Sequence, residues 1–494
     1  MTTKKDLNHS IPREVSCITK TLEKAGFEAY LIGGCVRDML LNKEPKDWDI
    51  TTNAKPEEII SLFEKTFYEN DYGTVGVVNE ETERETLKII EVTPYRLEAT
   101  YSDNRRPDGV TFSDSLEEDL QRRDFAMNAI AYSVSKGQLI DPYKGQQDIK
   151  DKIIRTVGSP IDRFNEDALR ILRAVRLAAQ LGFTINTQTQ EAIKETSSTL
   201  QNIAIERIRD EFIKIIDSEN PMEGIILAHE LNVLKYIIPE LEEGIGVKQS
   251  GNHIYTVWEH GLRALKHGAN RNWPLHVKLA ALLHDISKPQ TRRKSKEKDK
   301  YTFYGHDVVG GKVTKKMLER LKFSKKMTLK ASKLVRYHMF FSDIDAITLS
   351  AVRRIVRNVG PENVWDLMKV RACDRIGMGR PKESPYRLRK YKSMIEEAMR
   401  APVSVQMLKI DGAKIMEVTR ETPGPKIGFI LHALLEETLI NPDNNNEGYL
   451  MDKAIEFNKL PESELKKLSE KGKKEKEKKE KEELKEIRDK HGVK

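Results

Sequence analysis

Long apolar runs are missing from the 494 residues, and none approaches the roughly 20 residues that a membrane-spanning helix needs. Cysteine is also scarce. Cys17, Cys35 and Cys373 are too scattered for a disulfide framework or a thiolate metal site, which is typical of a reducing compartment. The opening residues carry no apolar core of a secretory signal. We therefore expect a cytoplasmic protein without a membrane partner.

The composition is that of a globular protein with a strongly charged surface. Hydrophobic residues make up 38% of the chain and charged residues 33%, with a formal net charge of +8. Such a surplus permits an anionic partner such as nucleic acid but does not establish one, since many basic proteins bind no polyanion. The length predicts two to four domains.

The periodicity of the sequence changes from β-like to helical near residue 150. Short apolar runs alternate with turns over 28–140, whereas three-to-four spacing dominates from about 160 onward. We predict an α/β head followed by all-α regions. The expected segments are a head (1–150), a helical neck (151–245), a histidine-rich helical domain (246–400), a helical C-terminal part (401–460) and a Lys/Glu tail (461–494) that is flexible or a charged helix.

The motif GGCVRD follows an apolar run and predicts a strand that turns into a helix. Gly33 and Gly34 would let the backbone approach a ligand closely, because no Cβ intrudes. The helix that follows would present amides to an anion, and Arg37 could add a charge-assisted hydrogen bond to a phosphate. A plain strand–turn–helix corner remains the alternative.

Asp47 and Asp49 follow that corner within the motif DWD. On a strand, residues two apart point to the same face, so the two carboxylates would repel each other unless a cation lies between them. Mg²⁺ prefers such oxygen ligands and takes substrate phosphates in its remaining positions. The alternative is an acidic turn with Trp48 packed inward.

A third carboxylate would complete a site for two-metal phosphoryl transfer. Glu91 is the first candidate, because it lies in the apolar run KIIEV, where a buried acid without a partner is costly. Glu98 is the second candidate. A salt bridge from Glu91 to Arg96 or another nearby arginine is the competing interpretation.

Two basic segments follow. In LQRRDFAMNAIA, Asn128 is polar among apolar neighbours and predicts a specific hydrogen bond, whereas Arg122 and Arg123 could simply pair with Asp119. In EDALRILRAVR, one acidic and three basic residues recur every third position along a predicted helix: Asp167, Arg170, Arg173 and Arg176. Such a stripe is either solvated or a surface for a nucleotide.

Taken in order, these motifs resemble the class II tRNA nucleotidyltransferases, which are the CCA-adding enzymes and their poly(A) polymerase relatives. The similarity covers residues 28 to about 215 and includes YGTVGVV, EVTPYR, YSDNRRP and DPYKGQQDI. It implies a polymerase-β-like nucleotidyltransferase head, Mg²⁺ held by Asp47 and Asp49, and tRNA, CTP and ATP as partners. It also implies a nucleotide site formed by Gly34, Arg37, Arg123, Arg173 and Arg176.

The resemblance further implies that Asp167 and Arg170 select the base without a nucleic-acid template. A carboxylate and a guanidinium together supply acceptors and donors that can pair with a base edge. The tRNA 3′ hydroxyl would then attack the α-phosphorus of CTP or ATP, with pyrophosphate leaving.

Seven of the eleven histidines fall between residues 253 and 338. His284 and Asp285 follow an apolar helical run and resemble the HD phosphohydrolase superfamily, with His260 and Asp374 as further ligands of one metal. His306 and His338 could hold a second ion, and imidazole suits a transition metal. For His253, His267 and His276 we expect surface or core positions.

Four functions compete at this point. The first is CCA addition, and the second is CC-only, A-only or poly(A) addition on the same scaffold. The third is a metal-dependent phosphohydrolase whose head only binds nucleotide, and the fourth is an RNA-binding protein without catalysis. The intact acidic and basic residues of the head favour the first two.

Overall fold

A computed structural model of the chain forms two compact units, residues 1–338 with 369–381 and residues 339–368 with 382–494. Within the described residues, no helix is both long enough and apolar enough to cross a membrane. The structure describes residues 2–4, 7–68, 73–98, 110–249, 253–295, 301–340, 347–400 and 405–493.

The first unit opens with a mixed sheet of eight strands in the order β1-β10-β9-β2-β3-β6-β5-β4, while β7 and β8 pair with each other. In chain order the strands are β1 (Thr2–Lys4), β2 (Ala29–Ile32), β3 (Asp49–Thr52), β4 (Thr66–Tyr68), β5 (Val75–Val78), β6 (Ile89–Pro94), β7 (Arg96–Glu98), β8 (Val110–Phe112), β9 (Ala131–Ser133) and β10 (Gln138–Ile140). The helices of this region are α1 (Arg13–Lys24), α2 (Gly34–Leu40), α3 (Pro56–Leu62), α4 (Glu85–Lys88), α5 (Leu116–Gln121) and α6 (Gly145–Asp151).

At the centre of the sheet, β2 and β3 are mostly buried, whereas β6 alternates between buried and exposed residues. All four residues of β2 are buried, which fits its continuous apolar sequence AYLI. Strand β3 runs antiparallel to β2 but parallel to β6, and the register of that parallel pair sets Asp49 beside Glu91. The middle of the sheet therefore carries two carboxylates on adjacent strands.

The neck consists of helices joined by a short parallel strand pair. Its long helix α8 has an apolar face that includes Leu172 and Val175, and it ends at Gly182 in the left-handed conformation. The elements are β11 (Ile153–Ile154), β12 (Thr184–Ile185), α7 (Pro160–Glu166), α8 (Leu169–Leu181), α9 (Thr187–Thr196), α10 (Ile205–Ile216), α11 (Pro221–Glu230) and α12 (Pro239–Glu242).

The histidine-rich region is helical, as expected. Helix α14 is buried over most of its length, because its sequence LHVKLAALL is almost wholly apolar. The elements are α13 (Val257–Asn270), α14 (Leu275–Leu283), α15 (Lys288–Thr291), β13 (Arg293–Lys294), β14 (Tyr301–Thr302), α16 (His306–Arg320) and α17 (Lys325–Tyr337). The predicted α/β head followed by helical regions is confirmed.

The second unit is also helical, and its core includes Ile415, Ile430 and Leu450. Its residues 382–400 group with the C-terminal helices, whereas the predicted histidine-rich domain ran to residue 400. The remaining helices are α18 (Leu349–Val359), α19 (Val364–Gly377), α20 (Tyr386–Met399), α21 (Gly412–Thr419), α22 (Pro425–Ile440), α23 (Glu447–Asn458) and α24 (Glu462–Lys490), with α19 divided between the two units at residue 369.

The Lys/Glu tail forms one helix, α24, in place of a flexible segment. Leu465 and Ser469 are buried, and Gly472 lies directly against the His432 carbonyl of α22. Lys479 donates to the Leu439 carbonyl over 2.7 Å. A narrow stripe of small and apolar residues therefore packs the helix against α22, although the rest of its surface is charged.

The chain offers a matched pair of glycine substitutions that tests the packing of the head. A Cβ on Gly145, at the start of α6, would clash with the Ala126 carbonyl in the short 3-10 turn Ala126–Asn128. We expect Gly145→Ala to lower the free energy of unfolding by about 2 kcal/mol, the range of an overpacked core. In α22, a Cβ on Gly428 would meet nothing within 4 Å, so Gly428→Ala should be neutral or stabilising. Thermal unfolding followed by circular dichroism compares the two variants, and equal melting temperatures would contradict the assigned contact.

Candidate active sites

At the glycine corner between β2 and α2, the Asp49 carboxylate and the Arg123 guanidinium lie close to the backbone. Gly33 has φ 77°, a conformation that strongly favours glycine. A Cβ there would lie 3.1 Å from Nη1 of Arg123 and 3.5 Å from Oδ2 of Asp49. The predicted strand–glycine–helix corner is present, with Gly34 as the first residue of α2. The backbone thus approaches both functional groups closely.

Asp47 and Asp49 stand near each other, but they do not share a strand. β3 begins at Asp49, whereas Asp47 is exposed in the bend before it and Trp48 is buried between them. Burial raises the pKa of Asp49; the positive charge of Arg123 opposes this shift and the charge of Asp47 adds to it. Trp48 thus packs inward, as the alternative of an acidic turn foresaw, while the carboxylates still influence each other.

Glu91 stands beside Asp49 but is exposed, so the reason for selecting it was wrong. Along β6, Ile90 and Val92 point into the core, and Glu91 alternates to the open face. Its backbone is in register with Asp49. The second candidate, Glu98, lies on β7, outside the eight-stranded sheet. Glu91 therefore remains the better third carboxylate.

A chain of hydrogen bonds connects α2 to α8 through Asp124. Nη1 of Arg37 donates to Oδ1 of Asn128 over 2.9 Å, and Nδ2 of Asn128 donates to Oδ1 of Asp124 over 3.2 Å. Oδ2 of Asp124 accepts from Nε of Arg173 at 2.7 Å. Burial opposes ionisation of Asp124, but the Arg173 guanidinium outweighs it and holds the pKa of the carboxyl below its ordinary value. The specific hydrogen bond predicted for Asn128 is present.

Arg122 and Arg123 both pair with Asp119, which was one of the two interpretations of their sequence. The Asp119 carboxylate is fully buried. Nε of Arg122 donates to Asp119 over 2.9 Å, and Nη2 of Arg123 lies 3.3 Å from Oδ2 of Asp119. Burial raises the pKa of Asp119, but Arg123 and Arg122 together keep it below the ordinary value. Asp119 thereby orients the arginine that reaches the Gly33 corner.

The predicted helix over 166–176 is broken at Asp167. This residue lies in extended conformation after α7, and its Oδ1 accepts the Leu169 amide at 3.0 Å, so it caps the start of α8. Its carboxylate is held by Arg207 of α10, with Nη2 to Oδ2 at 2.8 Å. Arg170 is buried and donates to Glu166 over 2.6 Å and to the Arg122 carbonyl over 3.1 Å.

Arg173 and Arg176 occupy one side of α8, and both have acidic partners. Arg173 pairs with Asp124, and Nη1 of Arg176 lies 3.0 Å from Oε2 of Glu211 on α10. Burial lowers the pKa of Arg176, and Glu211 opposes that shift. Sequence reasoning missed Arg207 and Glu211, because their partners lie 40 and 35 residues away in the chain. The YSDNRRP motif at 101–107 lies outside the described residues.

The histidine-rich region gathers all six predicted metal ligands in one buried cluster. Nε2 of His260 lies 2.8 Å from Nε2 of His284 and 3.2 Å from Oδ2 of Asp285. The other oxygen of Asp285, Oδ1, lies 3.2 Å from Nε2 of His306 and 3.7 Å from Nε2 of His338. Among the described residues, two groups of potential ligands fit an ion each, and they share Asp285. Oδ1 of Asp374 lies 3.3 Å from Nε2 of His260.

The tautomers of three histidines are set by the backbone. The Nδ1 atoms of His284, His306 and His338 lie 2.7 to 2.8 Å from carbonyl oxygens of residues three positions earlier. An Nδ1–H donated to a carbonyl leaves Nε2 with a lone pair, which is the form that binds a metal. Nε2 of His306 lies 3.3 Å from Nε2 of His338, so a metal ion that displaces any proton there can be bound by both atoms.

The charges of the cluster also favour a cation. Burial disfavours the imidazolium of His284, but the carboxylates of Asp285 and Asp374 raise its pKa to about 10. The pKa of Asp285 lies well below its ordinary value, because Lys288 and His284 outweigh the effect of burial. The buried donor set of imidazoles and carboxylates therefore fits divalent transition metals.

Three neighbours of this cluster were not predicted as parts of it. Nζ of Lys288 lies 2.6 Å from Oδ2 of Asp285, and Arg371 pairs with Asp374. The i,i+3 spacing of Asp285 and Lys288 in HDISK was a usable signal for the first pair. The ring of His253 packs edge-on against His260 at 4.8 Å between centroids, which agrees with its expected packing position.

Three family models match successive parts of the chain. They are described as "Poly A polymerase head domain" for residues 29–155, "Probable RNA and SrmB- binding site of polymerase A" for residues 182–245 and "HD domain" for residues 251–377. These ranges cover the mixed sheet, most of the neck and the histidine cluster.

The curated relatives match the N-terminal half. A CCA-adding enzyme of Geobacillus sp. (strain WCH70) is 46% identical over 221 residues, and one of Leuconostoc citreum (strain KM20) is 48% identical over 221 residues. Both alignments cover 44% of this chain and 53% of the relative, so the chain spans about half the length of the curated relatives it matches.

A solved structure extends the similarity over most of the chain. The Bacillus stearothermophilus CCA-adding enzyme in complex with CTP is 26% identical, with a TM-score of 0.58. The alignment covers 91% of this chain and 98% of that chain. The match therefore includes regions of this chain beyond the sequence alignments to the curated relatives.

The shared carboxylate gives the histidine cluster a specific pattern of metal loss. We expect two divalent transition-metal ions per chain, of which His260→Ala loses one and His306→Ala the other, while Asp285→Ala loses both. His276→Ala, which changes a histidine of α14 outside the six-ligand cluster, is the control and should retain both. Inductively coupled plasma mass spectrometry after dialysis measures the content, and circular dichroism checks folding. An Asp285→Ala protein that is folded and fully loaded would contradict the assignment.

Proposed function

We propose that the chain belongs to the family of the CCA-adding enzymes and poly(A) polymerases, and that it adds C, C and A to the 3′ end of tRNA from CTP and ATP. The three successive family matches support a catalytic head, an RNA-binding neck and an HD domain in one chain. We place the activity in the cytoplasm, where the three free cysteines would stay reduced.

One observation carries the proposal: at the Gly33 corner, the backbone lies close to both a carboxylate and a guanidinium. Asp49 and Arg123 both reach the position that a Cβ would occupy, and Glu91 is in register beside Asp49. Carboxylates beside a guanidinium at an open glycine corner suit a cation and a triphosphate together. An ordinary structural turn needs neither group.

Each group then has a defined part in the transfer. Asp47 and Asp49 would hold Mg²⁺, with Glu91 as the adjacent carboxylate. When bound, that ion supplies neutralisation of charge on the transferred phosphoryl group. Gly33 and Gly34 leave space for the phosphates, and Arg123 donates to them. The 3′ hydroxyl of the tRNA attacks the α-phosphorus, and pyrophosphate leaves.

Arg37, Arg173 and Arg176 would complete the nucleotide site. Arg37 and Arg173 are joined through Asn128 and Asp124, so their guanidinium groups are held before the nucleotide arrives. Arg176 is held in the same way by Glu211. Groups that are already oriented lose less conformational entropy when a ligand binds. The arginines thus act as a rigid frame for the triphosphate.

Base selection would rest on Asp167 and Arg170. A carboxylate that accepts and a guanidinium that donates can read the edge of C or A. Arg170 is fixed by Glu166 and by the Arg122 carbonyl. Asp167 is held by Arg207 in a pair that is about one-third exposed at the arginine. Arg207 thereby becomes a positioning residue for the base-reading carboxylate.

Incorporation of nucleotides into defined tRNAs tests the proposal. We expect tRNAs that end before, within or after CCA to be extended by CTP and ATP only as far as CCA. Asp49→Asn should reduce kcat at least about 1000-fold, since it removes a metal ligand and its charge stabilisation of the transition state. Sequencing gels of the products provide the measurement.

Other products would assign other functions. Extension by C alone, by A alone or by long A tails would instead indicate a CC-adding enzyme, an A-adding enzyme or a poly(A) polymerase with the same fold. No incorporation with any tRNA would exclude a polymerase and leave the HD domain as the main activity. Full activity in the Asp49→Asn protein would exclude this carboxylate from the site.

Removal of the base-reading carboxylate should change selectivity more than binding. In the Asp167→Ala variant, we expect the preference of kcat/KM for CTP and ATP over UTP and GTP to fall about 10- to 100-fold. The Kd for tRNA should stay within about threefold. Asp162→Ala, which removes an exposed acid from α7, is the control and should keep the preference. A drop in tRNA affinity without a change in selectivity would argue against this role.

The buried histidine cluster favours a second activity, the hydrolysis of phosphate esters in the HD domain. Two potential metal groups share Asp285, an arrangement that suits activation of water beside a phosphoryl group. Hydrolysis of 2′,3′-cyclic phosphates and of bis(p-nitrophenyl) phosphate tests it. Asp285→Asn should abolish hydrolysis without affecting incorporation, whereas Asp49→Asn should do the reverse. Loss of both activities in either variant would contradict two separate sites.

A further inference from the structure

The hairpin formed by α16 and α17 carries a concentrated positive charge. Between residues 306 and 338, ten lysines and arginines stand against two acids, Asp307 and Glu319, a surplus of eight that equals the formal net charge of the whole chain. The rest of the chain is therefore neutral on balance. Positive charge concentrated in one hairpin is explained either by ion pairs within the protein or by an anionic partner.

Ion pairing within the protein accounts for only part of this charge. Arg320 pairs with Glu240, Arg336 with Asp307, and Lys315 lies 3.9 Å from Glu319. Among the described residues, seven further lysines of the hairpin take part in no ion pair, and all are exposed or half-buried: Lys312, Lys316, Lys322, Lys325, Lys326, Lys330 and Lys333. Lysines that support only the fold would have nearby acids, as Lys471 and Lys490 of α24 have in Glu436 and Glu396.

Some of these lysines meet at the tip of the hairpin. Lys315, Lys322 and Lys325 line a cavity of about 400 Å³, together with Glu319 and the apolar side of Phe323. Three ammonium groups around one concave space repel one another, and the single carboxylate does not balance them. An anionic group in the cavity would remove that repulsion.

The hairpin is fixed to the neck at the same tip. Nη1 of Arg209 donates to the Lys322 carbonyl over 2.6 Å, and Nη2 of Arg320 donates to the Ile237 carbonyl over 3.2 Å. Arg209 and Ile237 both lie in the range 182–245, which matches the RNA-binding family. At its other end the hairpin carries His306 and His338 of the histidine cluster.

We propose that the hairpin surface around Lys315, Lys322 and Lys325 binds the phosphate backbone of the tRNA, in addition to the RNA-binding neck. This inference rests on the proposed function, since it takes the substrate of the head as the partner. The lysines follow two helices over about 20 Å, at 1.5 Å per residue, which suits a row of phosphates better than a single small anion. The continuity with the neck favours RNA over a membrane surface or an acidic protein.

Salt-dependent binding of tRNA tests the surface. The triple variant Lys315→Gln, Lys322→Gln, Lys325→Gln should bind tRNA about 10-fold more weakly at 100 mM salt. The slope of log K against log salt should fall in magnitude by about two to three, close to one for each phosphate that the variant no longer neutralises. The matched control neutralises three exposed lysines of α24, Lys467, Lys474 and Lys481, and so changes the net charge equally.

The steady-state kinetics should distinguish the hairpin variant from the α24 variant in the same way as the binding measurements. In the hairpin variant, we expect KM for tRNA to rise about 10-fold, with kcat and KM for CTP unchanged, while the α24 variant behaves as the unmodified protein. Equal tRNA affinity and salt slope in the hairpin variant and the unmodified protein would overturn the proposal, as would equal losses in both variants. Failure of the unmodified protein to extend any tRNA would instead overturn the proposed function.

Discussion

Buried carboxylates that hold arginines in place are the interactions on which the head and neck depend. Asp124 accepts hydrogen bonds from the Phe125 amide, from Asn128 and from Arg173 of α8. Because Asn128 also accepts from Arg37 of α2, Asp124 connects α2 with α8. Leaving such a carboxylate without its arginine would cost several kcal/mol, because the charge would stay buried and uncompensated. The same pairs keep the guanidinium groups in fixed orientations. The same contacts therefore stabilise the fold and orient the arginines of the proposed nucleotide site.

Short motifs made much of both sites predictable, because their chemistry is local. The Gly33 corner with Asp49 and Arg123 could be anticipated, and so could the six ligands around Asp285, since each lies in a recognisable stretch of sequence. The break at Asp167 and its bond to Arg207 could not, because a pair 40 residues apart leaves no periodic pattern. The packing of helix α24 was not predicted for a related reason: its contact stripe of Leu465, Ser469 and Gly472 is too sparse to appear apolar.

The two candidate sites use opposite physical strategies. In the head, Asp47 and Glu91 are exposed carboxylates near Asp49, which suits a hard cation that arrives with a charged substrate. In the HD region, imidazoles and carboxylates are buried, and backbone carbonyls fix the tautomers of three rings. The two sets of donor atoms would therefore favour metals of different hardness.

The position of Asp285 between two ligand groups has a thermodynamic consequence. Each of its oxygens faces a different pair of histidines, so any ion that draws on one oxygen changes the electron density and orientation of the other. By linkage, filling one group must alter the affinity of its neighbour by the same factor in both directions. The cluster would then take up metal as a coupled pair with a Hill coefficient different from one, and the half-loaded protein would be a distinct species.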